Sequence, residues 1–138
     1  MLLRPRGLMA RDSVLLSCTA ALGVRDYLGS RSIATGIKLP NDIWVGKKKI
    51  CGLLIENILE GKLVRESIVG IGLNVNQLSW PEDLPNPVSM RELTGTTYDL
   101  GQELEVLCGH LARRAAMLGS AEGRDLLIQE FNNNIFIP

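Results

Sequence analysis

With 138 residues, 46% of them hydrophobic and 22% charged, the chain has material for one domain with a real core and no comfortable room for a second. Its fourteen glycines follow no period and its charge content is ordinary, which excludes a fibrous, collagen-like or disordered chain. The formal net charge of zero hides an asymmetry: residues 1–65 carry eleven Lys/Arg against five Asp/Glu, and residues 66–138 four against ten, so an anionic ligand on one side and solvated faces that merely segregate are both open readings.

In chain order, Leu2 to Arg4 reads as extended and breaks at Pro5 and Gly7. Val14, Leu15, Cys18, Ala21, Leu22 and Leu28 then recur near helical spacing, with Asp12 or Ser13 as N-cap and Gly29 as the stop. Arg4, Arg6 and Arg11 ahead of this apolar run imitate a signal peptide, but the helical pattern continues through Val24, Tyr27 and Leu28, which favours a folded helix. Thr35 to Leu39 is extended, Leu39 being barred from helix by Pro40. Ile43 to Val45, a turn at Gly46-Lys47-Lys48 and a run from Lys49 to Ile58 predict a β-hairpin. After a turn at Gly61-Lys62, Glu66 to Asn76 is the strongest strand signal and predicts the sheet centre.

Gln77 to Pro87 holds three prolines and reads as an irregular loop, followed by a short helix at Ser89 to Leu93. Asp99, with Gln102 three residues on, predicts a capping box for a helix whose face is Leu100, Leu104, Leu107, Cys108, Leu111, Ala115 and Leu118. A last amphipathic stretch runs from Arg124 to Phe136. Strands in the middle and helices at both ends predict an α+β domain with helices packed on a mostly antiparallel sheet.

Function classes narrow further. Cys18, Cys51 and Cys108 are odd in number and far apart, without metal-ligand or disulfide spacing, and a reducing compartment follows by default. The single histidine, His110, lies in a predicted helix and reads as an ordinary helix residue, leaving little material for a Ser-His or Cys-His pair. No apolar run approaches the ~18 residues of a membrane span.

Two stretches carry chemistry. In Gly70-Ile71-Gly72-Leu73-Asn74 the strand period puts Gly70, Gly72 and Asn74 on one face and the apolar residues on the other. A face stripped of side chains and ending in an amide suits a flat ligand read by one donor and acceptor pair, an adenine edge for instance; close helix packing or a bulge explains the glycines equally well. The second stretch, Lys38 to Gly52, sets Lys38 and Lys49 around a Pro40-Asn41-Asp42 turn. Ammonium groups there would stabilise a developing oxyanion or a phosphate, and Asp42 would hold Mg²⁺ with a nucleotide's phosphates or orient a lysine. Gly52 gives backbone access beside Lys49, Cys51 faces the core, and Lys47 and Lys48 read as a solvated hairpin tip.

In this order and at these spacings, Lys38-Leu39-Pro40-Asn41-Asp42, Lys48 to Glu56 and Val69 to Asn76 resemble the signature blocks of the catalytic domain of biotin protein ligases. The family pattern is Lys-Trp-Pro-Asn-Asp, then Lys-apolar-x-Gly-apolar-apolar-x-Glu, then Gly-x-Gly-x-Asn. Leu39 replaces the usual tryptophan, and Cys51 occupies a small-residue slot. The resemblance extends upstream to Leu2 and fades after about Ser89.

It implies a partial biotin/lipoate protein ligase catalytic domain over residues 1–138. The family's Gly-Arg-Gly-Arg loop, its winged helix and its small C-terminal SH3-like domain have no counterpart in these residues, so an incomplete site is expected of the chain alone. The implied reaction is ATP-dependent: biotin and ATP with Mg²⁺ give biotinyl-AMP, and a lysine of a biotin carboxyl carrier domain then displaces AMP. Carried over, Lys49 would contact the biotin carboxylate and the α-phosphate. Lys38 and Asp42 would support adenylation as further catalytic residues, and Gly52 would line the biotin pocket. Asn41, Asp42, Gly70, Gly72 and Asn74 would hold the nucleotide, and Asp42 the metal. The implied setting is cytoplasmic, with no permanently bound cofactor, no nucleic-acid or membrane partner, and a homodimer left open. The alternatives are a lipoate ligase of the same superfamily and a non-catalytic module that pairs through an exposed sheet edge.

Overall fold

The computed structural model describes residues 1–137. Among these residues nine strands and α-helices follow in chain order: β1 (Leu2–Leu3), α1 (Val14–Ser30), β2 (Gly36–Lys38), β3 (Asp42–Val45), β4 (Lys48–Glu60), β5 (Leu63–Leu73), α2 (Met90–Thr94), α3 (Leu100–Ala116) and α4 (Ala121–Asn133). The strands form one sheet in the order β1-β5-β4-β3-β2, every neighbouring pair antiparallel, as expected of an α+β domain with helices on an antiparallel sheet.

Alternation decides which side of the sheet is core. Along β4, Cys51 and Leu53 are buried while Gly52 and Leu54 face outward; along β5, Val64, Ser67 and Val69 are buried while Gly70 and Gly72 face outward. The buried face receives α1. That helix is apolar around most of its circumference, with Leu16, Ala20, Leu22, Val24, Tyr27 and Leu28 all inaccessible, because it packs on β3 and β4 and also on α3 and α4. Each fully buried leucine contributes about 1.5–3 kcal/mol from burial alone. Gly23 lets α1 and α3 approach, since a Cβ there would stand 2.7 Å from Leu111 Cδ2.

Ion pairs then tie the helices together, joining the basic half of the chain to the acidic half. Arg31 at the end of α1 donates to both oxygens of Glu103 on α3, at 2.9 and 3.0 Å, and Arg114 bridges Asp26 and Glu130. Burial pushes the Glu103 carboxyl up, but the hydrogen bonds from Arg31 and Tyr27 outweigh it and hold the group below its ordinary range.

Several local expectations are corrected. Gly29 lies inside α1, which ends at Ser30 with Ser32 in the left-handed region at φ 62°. The hairpin turn is confined to Gly46 and Lys47, Lys48 already belonging to β4, and Gly46 takes the positive φ that two-residue turns require. The sheet centre is β4 rather than β5, because only the two-residue β1 covers the other edge of β5. The reciprocal capping box is Ser89 with Glu92; Asp99 accepts from Gln102 N–H at 3.0 Å and caps α3 one way. Of the apolar α3 face, Leu107 and Leu111 are buried, whereas Leu100 and Leu104 remain 61% and 60% exposed. These first turns of α3 stand off from the end of β5 across an apolar cleft that Ile71, Leu73 and Val75 also line.

Candidate functional site

The outward face of the sheet gathers the residues singled out in the sequence. Register sets Asp42 opposite Gly52 and Gly52 opposite Gly72, so three strands contribute one row across the sheet. A bulge between Ile43 and Trp44 shifts the β3–β4 pairing and sets Lys49 opposite Trp44. The Lys49 ammonium consequently folds back over Gly52 and meets Asp42 Oδ1 at 3.1 Å. Gly52 is the floor of this contact: a Cβ at that position would lie 3.2 Å from Lys49 Nζ and 3.3 Å from its Cε.

The loop after β5 closes the row from the side. Lys49 N–H donates to the Asn86 carbonyl at 2.8 Å, and Val88 N–H donates to the Lys49 carbonyl at 2.9 Å. Both backbone groups of Lys49 are thus held by the returning loop, which fixes where its side chain starts. Asn74, the first residue past β5, continues the pairing through its N–H to the Ile50 carbonyl, and its side-chain amide donates to the Val88 carbonyl at 3.1 Å. Between row and loop lies a cleft of about 250 Å³ lined by Lys49, Gly52, Gly72, Asn74, Leu84, Pro85 and Pro87.

The structure therefore brings together Lys49, Asp42, Gly52, Gly72 and Asn74. Gly70 sits one step along the same face, opposite Leu54, which is 64% exposed and gives the glycine floor an apolar border. Lys38 pairs with Asp42 across β2 and β3, but its ammonium lies over the Trp44 ring, 4.1 Å from the centroid. Asn41 falls outside the cleft. Its carbonyl accepts from Leu53 N–H, and it lines a separate depression with Leu39, Pro40, Ser13, Ser17 and Asn57. Cys51 is fully buried, and burial pushes its thiol up to about 12, so it serves as core.

Sequence reasoning missed Leu84, Pro85 and Pro87 as cleft walls and Trp44 as the seat of Lys38. The three prolines signalled an irregular segment, yet only the hydrogen bonds to Lys49 reveal where it docks.

Chemically, the cleft offers one ammonium beside one carboxylate, a floor without side chains and an amide at its end. Lys49 and Asp42 are 42% and 30% exposed, so their attraction contributes at most about 1 kcal/mol to stability. The pair is better placed for a ligand than for the fold. Among the described residues no three His, Cys, Asp or Glu side chains converge on a metal position. A lone carboxylate does not make an all-protein cage, but it fits a magnesium ion that is otherwise held by phosphates and water. No helix among the described residues is long and apolar enough to cross a membrane.

Comparison with known proteins agrees on one family. No family model matches the chain. The bifunctional ligase/repressor BirA of Bacillus spizizenii is 35% identical over 102 residues, which cover 72% of this chain and 31% of that protein. A biotin acetyl-CoA-carboxylase ligase of Paracoccus denitrificans is 34% identical over 126 residues, covering 86% of this chain and 52% of that protein. The biotin protein ligase of Aquifex aeolicus, solved in complex with biotin and ATP, superposes with a TM-score of 0.76 at 25% identity over 89% of this chain and 51% of that one. The chain thus spans about a third to a half of the length of these curated relatives. Shared sequence over most of the chain, together with a shared fold, makes it a member of the biotin protein ligase family, of whose larger members it matches a part.

Proposed function

We propose that the Lys49 cleft is an adenylation site at which ATP activates the carboxylate of biotin for transfer to a lysine of a biotin carboxyl carrier domain. The observation that carries this reading is the Lys49 ammonium lying across Gly52 at the mouth of a cleft whose floor is Gly72 and whose end is Asn74. A Paracoccus denitrificans relative is named a biotin ligase and the Aquifex aeolicus neighbour was solved with biotin and ATP, which favours biotin over lipoate as the acid.

In the first step a carboxylate oxygen of biotin forms a bond to the α-phosphorus of ATP as the bond to the bridging oxygen breaks and pyrophosphate leaves. Both reactants are anionic, so their approach costs most in Coulomb repulsion. Lys49 meets that cost by placing one positive charge between carboxylate and α-phosphate in a partly desolvated cleft. Asp42 holds the ammonium over Gly52 before the ligand arrives, and would hold Mg²⁺ that enters with ATP. The metal would neutralise phosphate charge. Gly72 lets the adenylate lie against backbone, and Asn74 offers its side-chain Oδ1 to the adenine while its Nδ2 donates to the Val88 carbonyl. Gly70, which the family resemblance groups with the nucleotide, borders the exposed Leu54, and this apolar edge suits the biotin rings better than a triphosphate.

In the second step the neutral amine of the carrier lysine attacks the acyl carbon and AMP departs, its charge again facing Lys49. Exposure of the row on one face of the sheet leaves the acyl phosphate open to a protein nucleophile. Biotin-dependent exchange of labelled pyrophosphate into ATP tests the first step directly. Exchange in the wild-type chain that vanishes in Lys49→Ala supports the proposal; exchange that persists in that variant removes Lys49 from the reaction.

A further inference from the structure

The C-terminal segment reaches the same face of the sheet from the opposite edge. After α4, Ile37 N–H donates to the Asn134 carbonyl at 2.8 Å and Phe136 N–H donates to the Ile37 carbonyl at 2.7 Å, so residues 134–136 run parallel to β2 as an added edge. This docking lays Phe136 over Gly36, whose absent Cβ would stand 2.8 Å from Phe136 Cβ. Phe136 in turn stacks on Trp44, with ring centroids 6.1 Å apart and an interplanar angle of 30°. Trp44 is the ring over which the Lys38 ammonium sits.

The indole has no other polar anchor. Its Nε1 is buried without a hydrogen-bond partner among the described residues, so stacking and the cation above it are what orient the ring. Lys38 likewise makes no ion pair among the described residues, the nearby Asp42 being taken by Lys49. A chain of contacts therefore runs from Phe136 through Trp44 to Lys38.

We propose that Phe136 is a positioning residue for the site: by holding the Trp44 ring it keeps the Lys38 ammonium on the indole, at the strand position directly opposite Asp42, from which a second cation reaches the phosphates of ATP. This rests on the adenylation reading for its consequence, but not for the contact chain itself. A lysine without such a seat would sample many rotamers and lose side-chain entropy on meeting the ligand. Seated on an indole, it is ordered beforehand and loses less.

Two readouts on the full chain test it. The first is the ¹³C-ε-methylene resonance of Lys38, assigned with Lys38→Arg; ring current should shift it upfield of the other four lysines. Phe136→Ala should abolish that shift, and Phe136→Tyr should keep it. Should Phe136→Ala fail to fold, Phe136→Leu retains apolar bulk without an aromatic face and is expected to lose the shift as well. The second readout is pyrophosphate exchange, where Phe136→Ala should raise the KM for ATP about threefold to fivefold, the size a cation–π contact of this kind supports, leaving the KM for biotin unchanged.

A Lys38 resonance that stays upfield without the Phe136 ring overturns the proposal, as does an equal change in both KM values. If no variant, wild type included, uses ATP while the Lys38 shift still follows the ring at 136, the adenylation reading falls and the positioning of Lys38 by Phe136 stands.

Discussion

Lys49 and Asp42 meet at 3.1 Å directly above Gly52, so the charged pair that the described residues bring to the cleft is held over the one residue of β4 that has no side chain to obstruct it. That relationship separates what the pair does for a ligand from what it does for the fold, and the two can be measured apart.

Replacing Lys49 by alanine should abolish adenylate formation. Chemical denaturation should show a loss below about 1 kcal/mol, because a pair this exposed contributes little to stability. A loss of several kcal/mol would mean that Lys49 is structural.

Gly52→Ala tests the same geometry from the other side. The new methyl would lie 3.2 Å from Lys49 Nζ, tighter than an ordinary contact, and would shift the ammonium by a few tenths of an ångström from its place beside Asp42. Adenylation should fall at least about tenfold, the equivalent of 1.4 kcal/mol in the transition state, while the circular dichroism spectrum is retained. Unchanged turnover would show that the seat over Gly52 has no role.

Asn74→Ala removes the amide at the end of the cleft and also its hydrogen bond to the Val88 carbonyl. The expected stability loss is about 1 kcal/mol. Titration calorimetry should show ATP weakened more than biotin if the amide reads the adenine as proposed; equal weakening of both would withdraw Asn74 from the nucleotide.

Glu103 gives a pH dependence with a defined sign. Its carboxyl is held below the ordinary range by Arg31 and Tyr27, so its contribution is present above the unfolded carboxyl pKa and is lost as pH falls through the lower folded value. Urea midpoints should therefore drop on acidification, and Glu103→Gln should flatten that part of the curve. Parallel curves for both proteins would count against the Arg31–Glu103 tie.

Much of this was legible in the sequence, for physical reasons that differ by element. The Gly70-x-Gly72-x-Asn74 alternation fixes one face of a strand by period alone, and Gly46 fixes a tight hairpin through its positive φ. These are local signals. The buried α1 was legible as a helix, but its burial on several sides was not, because that depends on α3 and α4 far along the chain. The same holds for the return of residues 86–88 to Lys49 and for Phe136 on Gly36: both are contacts between distant segments that leave no periodic trace. Lys38 and Asn41 were grouped with Asp42 because they share its turn. Asn41 lines a separate depression, since neighbours in a turn need not share a face, whereas Lys38 stands opposite Asp42 on the same face with its ammonium drawn onto Trp44.

Everything proposed for the Lys49 cleft turns on whether it joins biotin to AMP. Mass spectrometry of the purified chain incubated with biotin and Mg-ATP tests it most directly, with Lys49→Ala alongside. The wild-type chain should yield biotinyl-5'-AMP and the variant none. A folded wild-type chain that neither binds ATP nor yields the adenylate would contradict the adenylation reading.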